Sequence, residues 1–96
     1  MKKATAAKVR KRRVSFSLKA PQARQVFLVG DFNDWDARKH CMKKDADGIW
    51  EKTLILEPGT YEYKFYQDNQ WIVDPRNDRQ CPNRFGTWNS IVVVSP

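Results

Sequence analysis

Histidine is nearly missing from this sequence. The 96 residues hold one, His40, and its neighbour Cys41 would point to the opposite side of a strand, which disfavours a Cys/His nucleophile pair. The two cysteines, Cys41 and Cys81, are far apart and form no Cys-x-x-Cys pair, so with His40 they offer too few metal ligands at unhelpful spacing. They are expected as free thiols of a cytoplasmic protein. The four glycines are scattered, so no glycine-rich phosphate loop exists. No apolar run approaches membrane-spanning length, and the basic start is not followed by the apolar core of a signal peptide. No stretch reads as a helix, and no segment repeats.

Acidic residues are also missing from one place. Residues 1–13 hold seven of the 18 basic residues and no acid, while the remaining eleven basic residues face 11 acidic ones. The net charge of +7 therefore belongs to a tail rather than to a domain face. Residues 1–12 are expected as a disordered arm, and residues 13–96 as one domain. The arm is either a solubilising tail or a contact for nucleic acid, through residues 2–13, or for an acidic protein.

What the domain does contain is alternation. Val14, Phe16 and Leu18 alternate with Ser15, Ser17 and Lys19 until Pro21, a half-buried strand. Val26 to Val29 is a second strand, closing at Gly30, and Asp31 to Asp36 reads as an ordered loop around Phe32 and Trp35. A short strand is expected within Arg38 to Met42. Asp45 to Gly48 forms a turn, and the strand from Ile49 to Leu56 turns Trp50, Leu54 and Leu56 to one face. Residues Arg76 to Asn83 read as a loop, Phe85 to Asn89 as a second aromatic loop, and Ile91 to Val94 as an interior strand. Seven or so short strands with turn signals between them make an all-β, antiparallel β-sandwich.

The stretch from Pro58 to Pro75 carries the most information. Pro58-Gly59 suits the centre of a type II turn, and Tyr61, Tyr63 and Phe65 then alternate with Glu62, Lys64 and Tyr66. Asp68-Asn69 reads as a two-residue primed turn. That loop pairs Gln67 with Gln70, Tyr66 with Trp71 and Phe65 with Ile72, and paired residues share a face. Ile72 joins the core face. Trp71 lands beside Lys64 and Tyr66 on the other one, an unusual place for a tryptophan.

Carboxylates such as Asp45, Asp47 and Asp68 fall in turns, where capping is their ordinary role, and a sandwich this small has little material for a cleft between two catalytic acids. The sequence thus offers no catalytic residues, metal ligands or cofactor. Aromatic residues remain, at three places: Trp35, Trp71, and Phe85 with Trp88. Trp50 is a core residue. Flat rings suit the C–H face of a pyranose, and Lys64, Thr87 and Asn89 can hydrogen-bond hydroxyls, so a shallow site of this kind fits a sugar polymer. Single-stranded nucleic acid also stacks on aromatics but requires a positive groove, and only Lys64 is expected beside the rings.

These residues carry a resemblance. Val26 to Trp35, Pro58 to Phe65, Asn69-Gln70-Trp71 with Asp74-Pro75, and Phe85 to Ser90 resemble the glycogen-binding domain of the AMP-activated protein kinase β subunit. They equally resemble carbohydrate-binding module family 48, found at the N-terminus of isoamylases and branching enzymes. The resemblance runs from Val14 to Ser95 in unbroken order. It implies an immunoglobulin-like, early-set sandwich that binds α-1,4-linked glucan. It places the stacking tryptophans at Trp35 and Trp71, the polar contacts at Lys64 and Asn89, and the loop contact at Phe85, with Thr87 alongside. Tyr66 and Trp88 are secondary candidates. Phe85 stands where the kinase-type domains have leucine, and Asn89-Ser90 replaces a paired asparagine.

The expected function is non-catalytic binding of glycogen, starch or maltooligosaccharide, beside a separate glucan-active enzyme or kinase and without membrane contact. The alternative is a scaffold domain whose basic arm recruits an acidic partner or nucleic acid.

Overall fold

Strict alternation of apolar and polar residues from Val14 onward yields the first strand of the computed structural model, which describes residues 10–96. This strand, β1 (Arg12–Lys19), pairs antiparallel with β5 (Ile49–Leu56), and β4 (Lys43–Lys44) completes a three-stranded sheet. The second sheet has the order β3 (His40–Cys41), β2 (Val26–Gly30), β6 (Gly59–Gln67), β9 (Trp88–Val94), β8 (Gln80–Pro82). Strand β7 (Gln70–Ile72) pairs with the far end of β6. The two antiparallel sheets form an all-β, immunoglobulin-like sandwich. Among the described residues no helix is long and apolar enough to cross a membrane. Residues 1–9 of the expected basic arm lie outside the described residues.

The core lies where the alternating apolar faces meet. Phe16, Leu18, Trp50 and Leu56 from one sheet face Val26, Leu28, Tyr63, Phe65 and Val94 from the other, with Met42 between. Phe16 meets Tyr63 edge-on at 5.0 Å, and Tyr63 meets Phe65 at 5.9 Å, a favoured aromatic geometry. The Trp50 indole donates to the Ala20 carbonyl at 2.9 Å, so its burial leaves no polar atom stranded. Trp50 is a core residue, as expected.

Three local expectations are corrected. Nine strands form among the described residues where seven or so were expected, because the short strands Lys43–Lys44 and Gln80–Pro82 add to the others. Pro58 makes a bend, and Gly59, with φ of 153°, already begins β6 instead of occupying the second centre of a type II turn. The polar segment Arg76 to Asn83 is not wholly a loop: Gln80, Cys81 and Pro82 pair with Ser90, Asn89 and Trp88, so Trp88 and Asn89 belong to a strand too. Main-chain pairing makes this edge strand, and proline is tolerated there because an edge strand leaves half its N–H groups unpaired.

A buried polar network fastens the start of the segment after β7. The Tyr63 hydroxyl donates to Asp74 at 2.6 Å and accepts from the Asn77 amide at 3.0 Å, while the Asp74 N–H donates to the Ser90 hydroxyl. Burial, and then the hydrogen bond to Asp74, push the Tyr63 phenol well above its ordinary pKa. Its proton is therefore fixed as a donor.

Gly30 marks a close approach of chain segments. A Cβ there would stand 2.5 Å from the Glu62 carbonyl oxygen and 2.8 Å from the Tyr63 Cβ, neither of which is the free end of a flexible side chain. Gly30→Ala is expected to lower stability by about 1–3 kcal/mol, read as a lower urea midpoint with unchanged slope. An unchanged midpoint would show that β2 and β6 separate freely.

His40 gives a pH dependence. Asn33 Nδ2 has only hydrogens to offer, so His40 Nδ1, 2.8 Å away, must accept and the ring must be neutral. Burial, followed by Lys52 and Lys39, lowers its pKa. Above pH 6.5 native and unfolded chains both carry it neutral; below, the unfolded chain binds a proton that the native ring resists. Stability is therefore expected to fall as pH drops below 6.5, toward the lowered native value. Urea midpoints between about pH 5 and 7.5 should lose part of this slope in His40→Gln. Identical slopes in both proteins would exclude His40 as the cause.

Candidate functional site

Strand β6 places the site by parity. Asp68 and Asn69 both adopt positive φ, 47° and 69°, the two-residue primed turn that matches strand twist. The resulting register pairs Tyr66 with Trp71 and Phe65 with Ile72. Trp71 therefore stands on the outer face, 47% exposed, with its ring 4.6 Å from that of Tyr66.

Trp35 reaches the same face from the loop after β2. Asp31 to Asn33 form a single 3₁₀ turn, after which Asp34 and Trp35 both take left-handed φ, 56° and 59°. Two successive non-glycine residues there are strained, and side chains hold the loop in place. The Asn33 carboxamide, buried, accepts from the Gly30 N–H at 3.0 Å and donates to the Leu28 carbonyl at 2.9 Å. The Asp31 carboxylate accepts from the Trp35 indole at 2.9 Å and from the Glu62 N–H at 2.7 Å, tying the loop to β6. The Trp35 and Trp71 rings lie 6.4 Å apart at 54°. They form one tilted aromatic surface.

The polar side comes from β6, β9 and the loop between β8 and β9. Lys64 is only 7% exposed, and its ammonium donates to the Thr87 hydroxyl at 3.3 Å. Loss of water lowers its pKa. Thr87 is exposed. Asn89 differs from its expected role as an open contact: it is buried, its amide nitrogen donates to Glu62 at 2.9 Å, and its oxygen accepts from Asn83 at 2.9 Å. Both ends of its carboxamide are thus engaged within the protein. Phe85, 76% exposed, occupies the loop tip with the Arg84 guanidinium 5.2 Å from its ring. Trp88, 52% exposed, shares the alternation of Ser90 and so the opposite side of β9 from Asn89. Among the described residues no aromatic pair joins Phe85 or Trp88 to the two indoles.

Asp31, Glu62 and Asn83 were not anticipated as site residues. The Asn83 oxygen accepts from the Phe85 and Thr87 N–H groups, and its nitrogen donates to Thr87 and Asn89. Its carbonyl accepts from the N–H of Gly86, which has φ of 81°. The signal was present: asparagine three residues before glycine is a turn signature, and here the turn shapes the loop carrying Phe85 and Thr87.

Cys41 and Cys81 carry free thiols. Burial, and next Glu62, raise the Cys81 pKa, so this thiol is a poor nucleophile. Among the described residues no group of three or more His, Cys, Asp or Glu is placed to hold a metal. The arrangement can stack planar apolar surface and donate hydrogen bonds beside it.

The chain is similar in sequence to known proteins. The family described as "Carbohydrate-binding module 48 (Isoamylase N-terminal domain)" matches residues 4–80. A 1,4-alpha-glucan branching enzyme GlgB of Trichormus variabilis is 50% identical over 54 residues, 56% of this chain and 7% of its own length. One from Synechococcus elongatus is 55% identical over 53 residues, 53% of this chain and 7% of its own. Protein PTST homolog 2, chloroplastic, of Arabidopsis thaliana is 38% identical over 73 residues, 76% of this chain and 13% of its own. The chain thus spans about a tenth of the length of these relatives.

Asn83→Ala is expected to cost about 1–3 kcal/mol through the unpaired Asn89 and Thr87 groups it leaves. The amide signals of Phe85 and Thr87 should move in NMR spectra while those of β1 and β5 stay put. Unmoved loop signals would mean that another contact shapes the loop.

Proposed function

The chain belongs to carbohydrate-binding module family 48, and from that premise we propose that it binds α-1,4-glucan, without catalysis, on the outer face of its larger sheet. The observation that carries this reading is the pair of indoles, Trp35 and Trp71, with rings 6.4 Å apart, on the face to which alternation along β6 also turns Lys64, whose ammonium donates to the Thr87 hydroxyl. Successive glucose units stack on the two rings. Lys64 and Thr87 bond to hydroxyls at the edge, and Phe85 presses on the chain from the loop tip. Asn89 acts by holding Asn83 and Glu62 in place, a positioning role rather than a contact.

The choice of α-1,4-glucan is supported by the similarity to 1,4-alpha-glucan branching enzymes, whose segments are about half identical to this one. The protein acts in the cytoplasm, beside a separate enzyme or kinase that works on the same polymer. Affinity is weak, with Kd of about 10 μM to 1 mM, because a shallow, wet site must order a flexible ligand.

An NMR titration of the labelled protein with maltoheptaose tests this. Saturable shifts of the Trp35 and Trp71 indole N–H signals are expected, with Trp88, on the opposite side of β9, as the reference that stays put. Trp71→Ala should weaken binding about 10–100-fold, the worth of one aromatic stack, while the fold is retained. Unchanged indole signals at millimolar sugar would refute glucan binding.

A further inference from the structure

A cleft of about 440 Å³ opens beside the hairpin tip, lined by Arg24, Gln25, Phe27, Tyr66, Asp68 and Asn69. It is separate from the two indoles yet shares a wall with them, since the Tyr66 ring packs tilted against Trp71 and also lines the cleft. The β2–β6 register sets Phe27 directly opposite Tyr66, on the same outer face. Trp35, Trp71, Tyr66 and Phe27 thus form one aromatic row that ends in this cleft.

The far wall is built rather than incidental. The Asp68 carboxylate accepts from the main-chain N–H groups of Arg24 at 3.1 Å and Gln25 at 2.9 Å, while the Asp68 N–H donates to the Gln25 carbonyl at 3.0 Å. The segment before β2 is therefore locked to the hairpin turn. The side chains of Arg24, Gln25 and Asn69 remain exposed, offering planar groups rich in donors at the mouth of a half-apolar cleft. Its volume is in the range of small-molecule sites.

We propose that this cleft is an extension subsite that takes the glucan units running past Tyr66, so that the protein selects longer chains over short ones. The proposal rests on the glucan reading above. Phe27 and Tyr66 supply the apolar wall against the sugar face. Arg24, Gln25 and Asn69 supply hydroxyl contacts that a trisaccharide seated on the two indoles does not reach.

Calorimetric titration with maltotriose and maltoheptaose tests it, using the full chain and the variant Arg24→Ala/Gln25→Ala/Asn69→Gly. All three residues are exposed, the two alanines keep the main-chain bonds to Asp68, and glycine accepts the positive φ at position 69, so the fold should persist. In the unchanged protein maltoheptaose should bind about fiftyfold more tightly than maltotriose. In the variant that ratio should fall to about fivefold, the statistical gain of the five trisaccharide windows in a heptasaccharide, with maltotriose affinity unchanged. A preserved ratio, or equal weakening of both sugars, overturns the subsite. If neither sugar binds the unchanged protein, the glucan reading itself fails and the subsite falls with it.

Discussion

Strand β6 cannot bury Tyr63 and Phe65 without turning Lys64 and Tyr66 to the opposite face, because successive side chains of a strand point in opposite directions. Every other strand of the larger sheet except β3 and β8 bonds to β6 directly. Its alternation therefore fixes the faces of β2, β7 and β9 at once. A slip of one residue would turn Phe65, which is wholly buried, out of the core and point the Lys64 ammonium into it. Core packing and the presentation of the site are thus one constraint. The primed turn at Asp68-Asn69 transmits it to Trp71, since a two-residue loop keeps register where a three-residue loop would invert it.

The second indole obeys no such rule, because Trp35 lies in a loop, and its position is set by hydrogen bonds. Asp31 and Asn33 hold two left-handed residues that would otherwise relax, and Asn83 does the same for the loop around Phe85. The short polar side chains accept from backbone N–H groups that a tight loop leaves unpaired. Strain at Asp34 and Trp35 is balanced by these bonds, and the loop is ordered before any ligand arrives. A flexible polymer brings its own ordering cost, and a surface that adds little to it binds better than a mobile one.

Much of this was legible in the sequence where period-two alternation speaks. The hairpin register, the outward Trp71 beside Lys64, the core role of Trp50 and the interior position of β9 all follow from alternation and turn chemistry. Strand β8 was not legible: Gln80-Cys81-Pro82 has neither apolar alternation nor β-branched residues, and it is a strand only because the edge of β9 offers main-chain partners. The engagement of Asn89 was hidden for a related reason. Its partners Glu62 and Asn83 lie 27 and 6 residues away, and only the pairing of β6, β9 and β8 brings the three amide and carboxylate groups together. Pattern reveals which face a residue takes, but not whether its polar atoms are already satisfied there.

That distinction separates the exposed aromatic residues. Trp71 is held between Tyr66 and Trp35, at 4.6 and 6.4 Å, on a strand whose register is fixed by the core. Its ring has lost most of its freedom in the folded state, so stacking a ligand on it costs little further side-chain entropy. Phe85 has a single neighbouring cation, Arg84, and projects from a loop tip with most of its surface in water. Ordering it against a ligand spends part of what the contact gains. In the proposed glucan reading, Phe85 therefore adds apolar area with less net effect per unit area than Trp71, and the buttressed indoles rather than the most exposed ring carry the contact.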